Sequence, residues 1–404
     1  VLDMLITIGN LWAENLDDNT KALDAYARAV RNSPDSDEAR RAFERVAEIE
    51  DRWDMVLETY EEILKREELG DLIRHTLHVR TAEIARDQLQ NIDTAIRHFQ
   101  TALDLDPANE MVLNALEILY QQTQNWEKLL DVSRKQLEQA QELERRQELR
   151  FRCGMILDQK IDRPQEATTV YEEILGEEPN RLPALHALDL LYQKLGMWTE
   201  LADNLNKQLE LADDVDAKSE LLRRLAAVQH EKLNETTLAI ETWRQALELD
   251  GTDEVVIRSL EKLLDIEEHA LIVANILEPV YKNLGRWESL VRVHEIVLRS
   301  SFDPSEQIRL IHVIANIHDE FMEEPRNAFD DYVRAFMIDP RHADTRHQLE
   351  RLAEQLKAWE NLFSTYSKVV DAGEDTEIAL DLQTRIADIL AYEVGDIERA
   401  TVAY

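Results

Sequence analysis

The chain has 404 residues and a formal charge of −37 at pH 7, with only nine Gly and nine Pro. So few turn residues cannot supply the hairpins of an all-β fold or a dozen βα loops, while 44% apolar and 32% charged residues exclude wholesale disorder. The charge argues against nucleic acid, whose binding is driven by Lys and Arg on phosphates; one cysteine excludes an intramolecular disulfide, and no signal peptide or run of about 20 apolar residues is present.

From the N-terminus onward the sequence repeats. Ala22 and Tyr26 begin a helical pattern that Ser33-Pro34 closes. Ala95, Phe99 and Pro107 follow in the same arrangement, then Ala167, Tyr171 and Pro179, then Ala239, Trp243 and Gly251. Ala328, Tyr332 and Pro340 come next, and Ala400 and Tyr404 start a sixth copy. The closing residues step by 73, 72, 72 and 89. A second ruler is Trp, at 53, 126, 198, 287 and 359, with steps of 73, 72, 89 and 72. Both rulers place a 17-residue insertion between Gly251 and Trp287. The expected organisation is therefore one array of 72-residue units, about 1–70, 71–143, 144–215, 216–304 with one extra helix, 305–375 and a truncated 376–404.

Each unit reads as four amphipathic helices in two hairpins, about 23 helices in all. A small residue stands 13 positions before each Ala marker: Gly9, Ala82, Gly154, Ala226, Ala315 and Ala387. The expectation is that the two small residues face each other and let the helix backbones approach. Apolar rows around the small residue span an arc of about 160°, too wide for a coiled-coil seam and suited to a helix packed on two neighbours. In the insertion, Ser259–Leu264 and Ile276–Tyr281 read as two versions of one inner-helix pattern. Three helices are thus predicted between Thr252 and Ser300 where other units have two, with Pro279 near a kink.

Ala95-x3-Phe99-x2-Ala102-x4-Pro107 resembles the second helix of a tetratricopeptide repeat, and the copies starting at Ala22 and Ala328 match equally well. The Ala167 and Ala239 copies each depart once, with Ile174 for the second Ala and Gly251 for Pro. The resemblance covers essentially the whole chain. It implies an all-α, right-handed superhelical solenoid that binds peptides or protein surfaces on its concave side. The half-a-TPR family of RNA-processing factors is similar in the outer helix, but its inner-helix aromatic pattern is absent.

Catalytic signals are thin. The Gly residues form neither G-x-x-x-x-G-K-[ST] nor G-x-G-x-x-G. Cys153 lies in the apolar arc and reads as a buried structural thiol. His75 and His78 share a helix face at i, i+3, yet no further Cys/His motif completes a metal site. The reading is of a non-enzyme with no cofactor and no metal. In tetratricopeptide repeats the polar rows of the inner helix line the groove, and a Lys/Asn/Arg clamp there holds a peptide carboxylate. Asn10 and Asn316 stand at the Asn position here, but the neighbouring row has no Lys, so that clamp is not assembled.

An arginine row lies two before the small residue: Arg80, Arg152, Arg224 and Arg385. Glu148, Glu220 and Asp381 precede three of them by four residues, which favours local pairing; Arg80 follows Thr76 and is expected to be the freest. Candidate concave-face contacts are Arg80, Glu83, Asp87, Arg152, Asp158, Arg224, Asp319 and Asp388. The expected function is a non-catalytic protein-interaction scaffold for a protein or peptide partner. The alternative is a regulatory or substrate-recruiting arm of a larger enzyme or machine. The −37 favours a basic partner, with no nucleic acid and no membrane insertion. A soluble, cytoplasmic setting is preferred, and the ends at Val1 and Tyr404 read as cuts within a longer protein.

Overall fold

The computed structural model describes residues 1–372 and 376–404, and every regular element among them is helical. The chain forms two compact units, Val1–Asn204 and Leu205–Tyr404. In the first, α1 (Leu2–Asn10) pairs with α2 (Asn19–Asn32), and α3 (Asp37–Glu50) with α4 (Trp53–Leu64). Then α5 (Asp71–Asp87) pairs with α6 (Ile92–Leu105), α7 (Glu110–Gln122) with α8 (Trp126–Gln139), and α9 (Leu143–Gln159) with α10 (Pro164–Glu177). Next come α11 (Leu182–Leu195) and α12 (Trp198–Leu211), within which the unit boundary falls. The second unit continues with α13 (Val215–Glu231), α14 (Thr236–Leu249), α15 (Glu254–Glu261), α16 (Glu267–Leu284) and α17 (Trp287–Ser300). It closes with α18 (Pro304–Asn316), α19 (Pro325–Ile338), α20 (Ala343–Leu356), α21 (Trp359–Ala372), α22 (Thr376–Ile389) and α23 (Ile397–Ala403). The expected end of the fifth repeat, at 375, lies outside the described residues.

Short polar residues start many of these helices by capping. The side chains of Ser36, Asn109 and Asp253 accept hydrogen bonds from the amides of Ala39, Val112 and Val256, satisfying donors that have no partner within the helix. The turn inside each hairpin is made by a left-handed residue. Asp17, Gln90, Asp162, Asn234, Glu323 and Gly395 serve one hairpin type, and Asp51, Gln124, Gly196, Gly285 and Lys357 the other. These two series step by 73, 72, 72, 89, 72 and by 73, 72, 89, 72, the same intervals as the sequence rulers. Only three of the eleven are Gly.

The Ala markers fill the centre of the packing: Ala22, Ala95, Ala167, Ala239 and Ala328 are wholly buried. At the two inner-helix glycines, however, the nearest obstacle to a side chain is not the facing alanine. A Cβ on Gly9 would enter the ring of Tyr26, and one on Gly154 would lie 2.6 Å from Cζ of Tyr171. The outer-helix aromatic, four residues after Ala, is thus what requires a residue without a side chain at these two sites.

The inserted segment forms three helices between Thr252 and Ser300, as its periodicity predicts. Its first helix has a different role from the one expected. Tyr120 and Tyr192, on α7 and α11, hydrogen-bond Gln100 and Glu172, on the outer helices just before them. At the same spacing of 20, the Tyr281 hydroxyl of α16 donates to Glu261 of α15 at 2.9 Å. Toward α16, α15 therefore stands in the place of an outer helix, and Ile276–Tyr281 alone is the inner-helix pattern. Pro279 lies inside α16, which continues to Leu284; its ring leaves the Asn275 carbonyl without the usual amide partner.

Candidate functional site

The charged rows of the inner helices are occupied by one another. Glu44 of α3 accepts from Arg80 of α5 through Nε (3.1 Å) and Nη2 (2.8 Å), and from the Tyr60 hydroxyl of α4 (2.7 Å). Glu350 of α20 repeats the arrangement with Arg385 of α22 (2.9 and 2.7 Å) and Tyr366 of α21 (3.3 Å). Glu117 of α7 pairs with Arg152 of α9 and accepts from Gln136 of α8. Each carboxylate therefore ties its own outer helix to the inner helix of the next hairpin. Hydrogen bonds donated to Glu44 raise the Arg80 pKa above its usual value, and burial pushes the Tyr60 hydroxyl well up.

This network corrects two expectations. Arg80 is not a free guanidinium; it is held by Glu44 and also by Glu83 at 2.8 Å. Arg152 and Arg385 also bypass the acids four residues before them. Glu148 instead meets Arg145, Glu220 meets Arg223, and Asp381 meets Arg346. The remaining candidates are engaged as well. Asp87 pairs with Arg86, Asp158 lies 3.9 Å from Lys194, and Asp319 pairs with Arg351. Asp388 accepts from the Tyr404 hydroxyl, and Arg224 also has a partner. Asn10 and Asn316 accept from the hydroxyls of Tyr26 and Tyr332 at 2.6 and 2.7 Å. Of the eight candidate residues, Arg80 and Glu83 meet each other, and the others are engaged in local contacts of their own.

The inner helices also leave large apolar side chains open to solvent. On α7, Met111 and Ile118 are 63% and 54% exposed, and on α11 Pro183 and Leu190 occupy the same positions, Leu190 at 69%. In the second unit α16 carries Ile272 and Pro279 there, both exposed. Seven residues make about two helical turns, so each pair lies on one face. The corresponding residues of α3 and α20 are charged: Glu38 and Arg45, Asp344 and Arg351. Beside the stripe, Met155 of α9 is 37% exposed, one turn after Arg152. The stripe lies outside the rows around the small residues and shows in the sequence only where the second inner helices of the units are aligned.

Cys153 is 3% exposed, and burial pushes its thiol up to about 11, far from a reactive thiolate. His75 and His78 diverge. His75 Nε2 approaches Asn109, while His78 Nδ1 lies 2.9 Å from His98 Nδ1, whose other nitrogen is 3.3 Å from Glu61. Glu61 is matched by an Nε2–H on His98, which leaves His98 Nδ1 to accept and His78 Nδ1 to donate. Desolvation, together with the neighbouring His98, lowers the His78 pKa to about 4. Among the described residues no helix is long and apolar enough to cross a membrane.

No protein-family model matches the chain, and no curated protein matches it significantly. Solved structures similar to it include several tetratricopeptide-repeat proteins. Naa15/Naa10 bound to HypK-THB is 13% identical over all of this chain and 67% of that one, with a TM-score of 0.40. YrrB, described as a TPR protein with an unusual peptide-binding site, is 14% identical over 51% of this chain and 99% of its own (TM-score 0.29). The TPR2AB domain of yeast Sti1, in complex with pHSP90, is 16% identical over 64% and 95% (TM-score 0.29).

Proposed function

We propose that the chain is a non-catalytic protein-interaction scaffold whose partner lies along the inner helices, seated on Met111 and Ile118 of α7 and Pro183 and Leu190 of α11. One observation carries this reading. Glu117 of α7 and Lys194 of α11 are paired within the chain, while large apolar side chains at matched positions of successive repeats are left in water. Exposed apolar surface of this kind, rimmed by polar residues, is characteristic of protein-binding sites. In the first unit, Arg80, Glu83, Asp87, Arg152 and Asp158 then meet the partner's polar groups by rearranging existing pairs; Arg224, Asp319 and Asp388 belong to the second unit and are not assigned to this site. The excess of acid over base favours a partner of net positive charge.

The test is affinity purification with the wild-type chain and the Ile118→Asp/Leu190→Asp variant, followed by mass spectrometry. Both residues are exposed, so the variant is expected to keep its helical circular dichroism while losing the specific partner. Recovery of the same partners at equal yield would refute the reading.

A further inference from the structure

The 17-residue insertion does more than lengthen the second unit. In the first unit the outer helices α6 and α10 use Gln100 and Glu172 to bind the tyrosine of the next inner helix. Arg244 of α14 is the corresponding residue, but Tyr281 has turned to Glu261 of α15, and Arg244 bonds along its own helix to Glu241 and Glu248. The exposed row of α14 consequently faces a space bounded by α16. That space is a cleft of about 570 Å³.

Leu247, Ile272, Ile276, Pro279 and Val280 give the cleft its apolar lining. Where other units carry Ala42, Ala115 and Ala187, this unit carries Ile276, so the apolar surface is enlarged just where the packing opens. The matching stretch of α6, with Gln100, Leu103 and Asp104, also borders a cleft, of about 480 Å³, but its far wall is mostly the polar Lys128, Asp131 and Arg134 of α8. At the insertion the far wall is α16, with Ile272, Ile276, Pro279 and Val280. Its volume falls in the range of about 300–1,000 Å³ typical of ligand sites.

We propose that this cleft is a second binding site, distinct from the inner-helix stripe of the first unit, and that it takes an amphipathic, basic segment of a partner protein through two or more large apolar side chains. Charge selects the occupant. The charged residues at the cleft are Glu241, Glu248 and Arg244, one negative charge in excess, and the Asn275 and Asn283 carboxamides offer acceptors to a Lys or Arg. A second copy of the chain is disfavoured by the mutual repulsion of two bodies of −37.

The test uses the full chain and a fluorescein-labelled 14-residue peptide of Leu and Lys with Leu at helical spacing, followed by fluorescence anisotropy at physiological salt. The comparison peptide replaces every Leu by Ser and keeps the charge. The Leu/Lys peptide is expected to saturate, and the Ser/Lys peptide to bind at least tenfold more weakly. Asn275→Trp, an exposed residue whose ring would fill the cleft, and Ile272→Ser, which trims its wall, are each expected to weaken the Leu/Lys peptide by tenfold or more. The Ile118→Asp/Leu190→Asp variant is expected to bind it within twofold of wild type, which separates this site from the proposed function. Equal binding of the two peptides, or unchanged affinity in both cleft variants, would overturn the site. A dimer in light scattering that Asn275→Trp dissociates would overturn the partner assignment in favour of a second copy.

Discussion

At the residue scale, the ladder of Glu44, Arg80 and Tyr60 exchanges a surface role for a structural one. Glu44 is only 13% exposed and depends on both partners, so removing the guanidinium leaves a poorly solvated carboxylate beside a buried hydroxyl. Arg80→Ala is expected to destabilise the α3–α5 junction by about 1–2 kcal/mol, read as a lower urea midpoint, with Arg80→Lys recovering part of the loss. A midpoint equal to wild type would show the ladder to be incidental. The His78–His98 pair gives a pH signature. The ordinary His pKa of 6.5 is lowered to about 4 at His78, and His98 is lowered too; Arg74, His75 and Arg97 add positive charge, while Glu61 opposes the shift at His98. As pH falls through 6.5 the unfolded chain takes up protons that the folded one refuses, so stability is full above that value and declines toward pH 4. Urea midpoints between pH 7 and 5 should therefore fall, and less steeply in His78→Gln; His294 and His312, also lowered by burial, keep the dependence from vanishing. Cys153 was legible from its place in the apolar arc. The partner of Arg80 was not, because it stands 36 residues earlier on another helix, whereas Thr76 and the acids at i−4 were the visible neighbours.

At the element scale, the hairpin turns show what a repeat can hide. Eleven turns need a left-handed residue, but only Gly196, Gly285 and Gly395 have the conformational freedom for it; Gln90, Gln124, Glu323 and Lys357 adopt φ of 52–57° at a steric cost. Seven of the eleven are Gly, Asp or Asn, the types that adopt this conformation most readily, but Gln90, Gln124, Glu323 and Lys357 are not, so the sequence reveals where hairpins turn through Trp, Ala and Pro and leaves the turning residue itself obscure. Gln124→Gly and Lys357→Gly are each expected to stabilise the chain by up to about 1 kcal/mol, since relief of the left-handed strain outweighs the added freedom of the unfolded chain. Thermal unfolding of each variant checks this, and a lower Tm in both would contradict it. The insertion was legible in the number of helices, because 17 residues of helical periodicity admit little else; their lengths, 8 residues in α15 and 18 in α16, were not. The role of α15 was not, because a truncated inner-helix pattern and an outer helix present similar apolar spacing. Only the Tyr281–Glu261 bond distinguishes them.

At the scale of the whole molecule, the decisive quantity is the imbalance of 83 acids against 46 bases. Even if every Lys and Arg were matched with one carboxylate, 37 carboxylates would remain without a counter-charge, spread along both units. Exposed ion pairs contribute about 0–1 kcal/mol each and weaken with salt, but the unmatched charges repel over distances that salt also shortens, from a Debye length of about 30 Å at 0.01 M to about 8 Å at 0.15 M. The two effects have opposite signs. Repulsion involves the surplus acids collectively and works against the compact state, whereas each pair acts alone, so screening is expected to favour folding on balance. Raising NaCl from 10 to 150 mM should therefore raise the Tm measured by calorimetry, while the same change weakens capture of a basic partner. Stacked repeats interact chiefly with their neighbours, so the transition is expected to broaden beyond two-state behaviour, and the shift should be largest in its first component. A Tm that falls over this range would mean that the inter-helix pairs, with Glu44–Arg80 and Glu350–Arg385 foremost, outweigh the net charge.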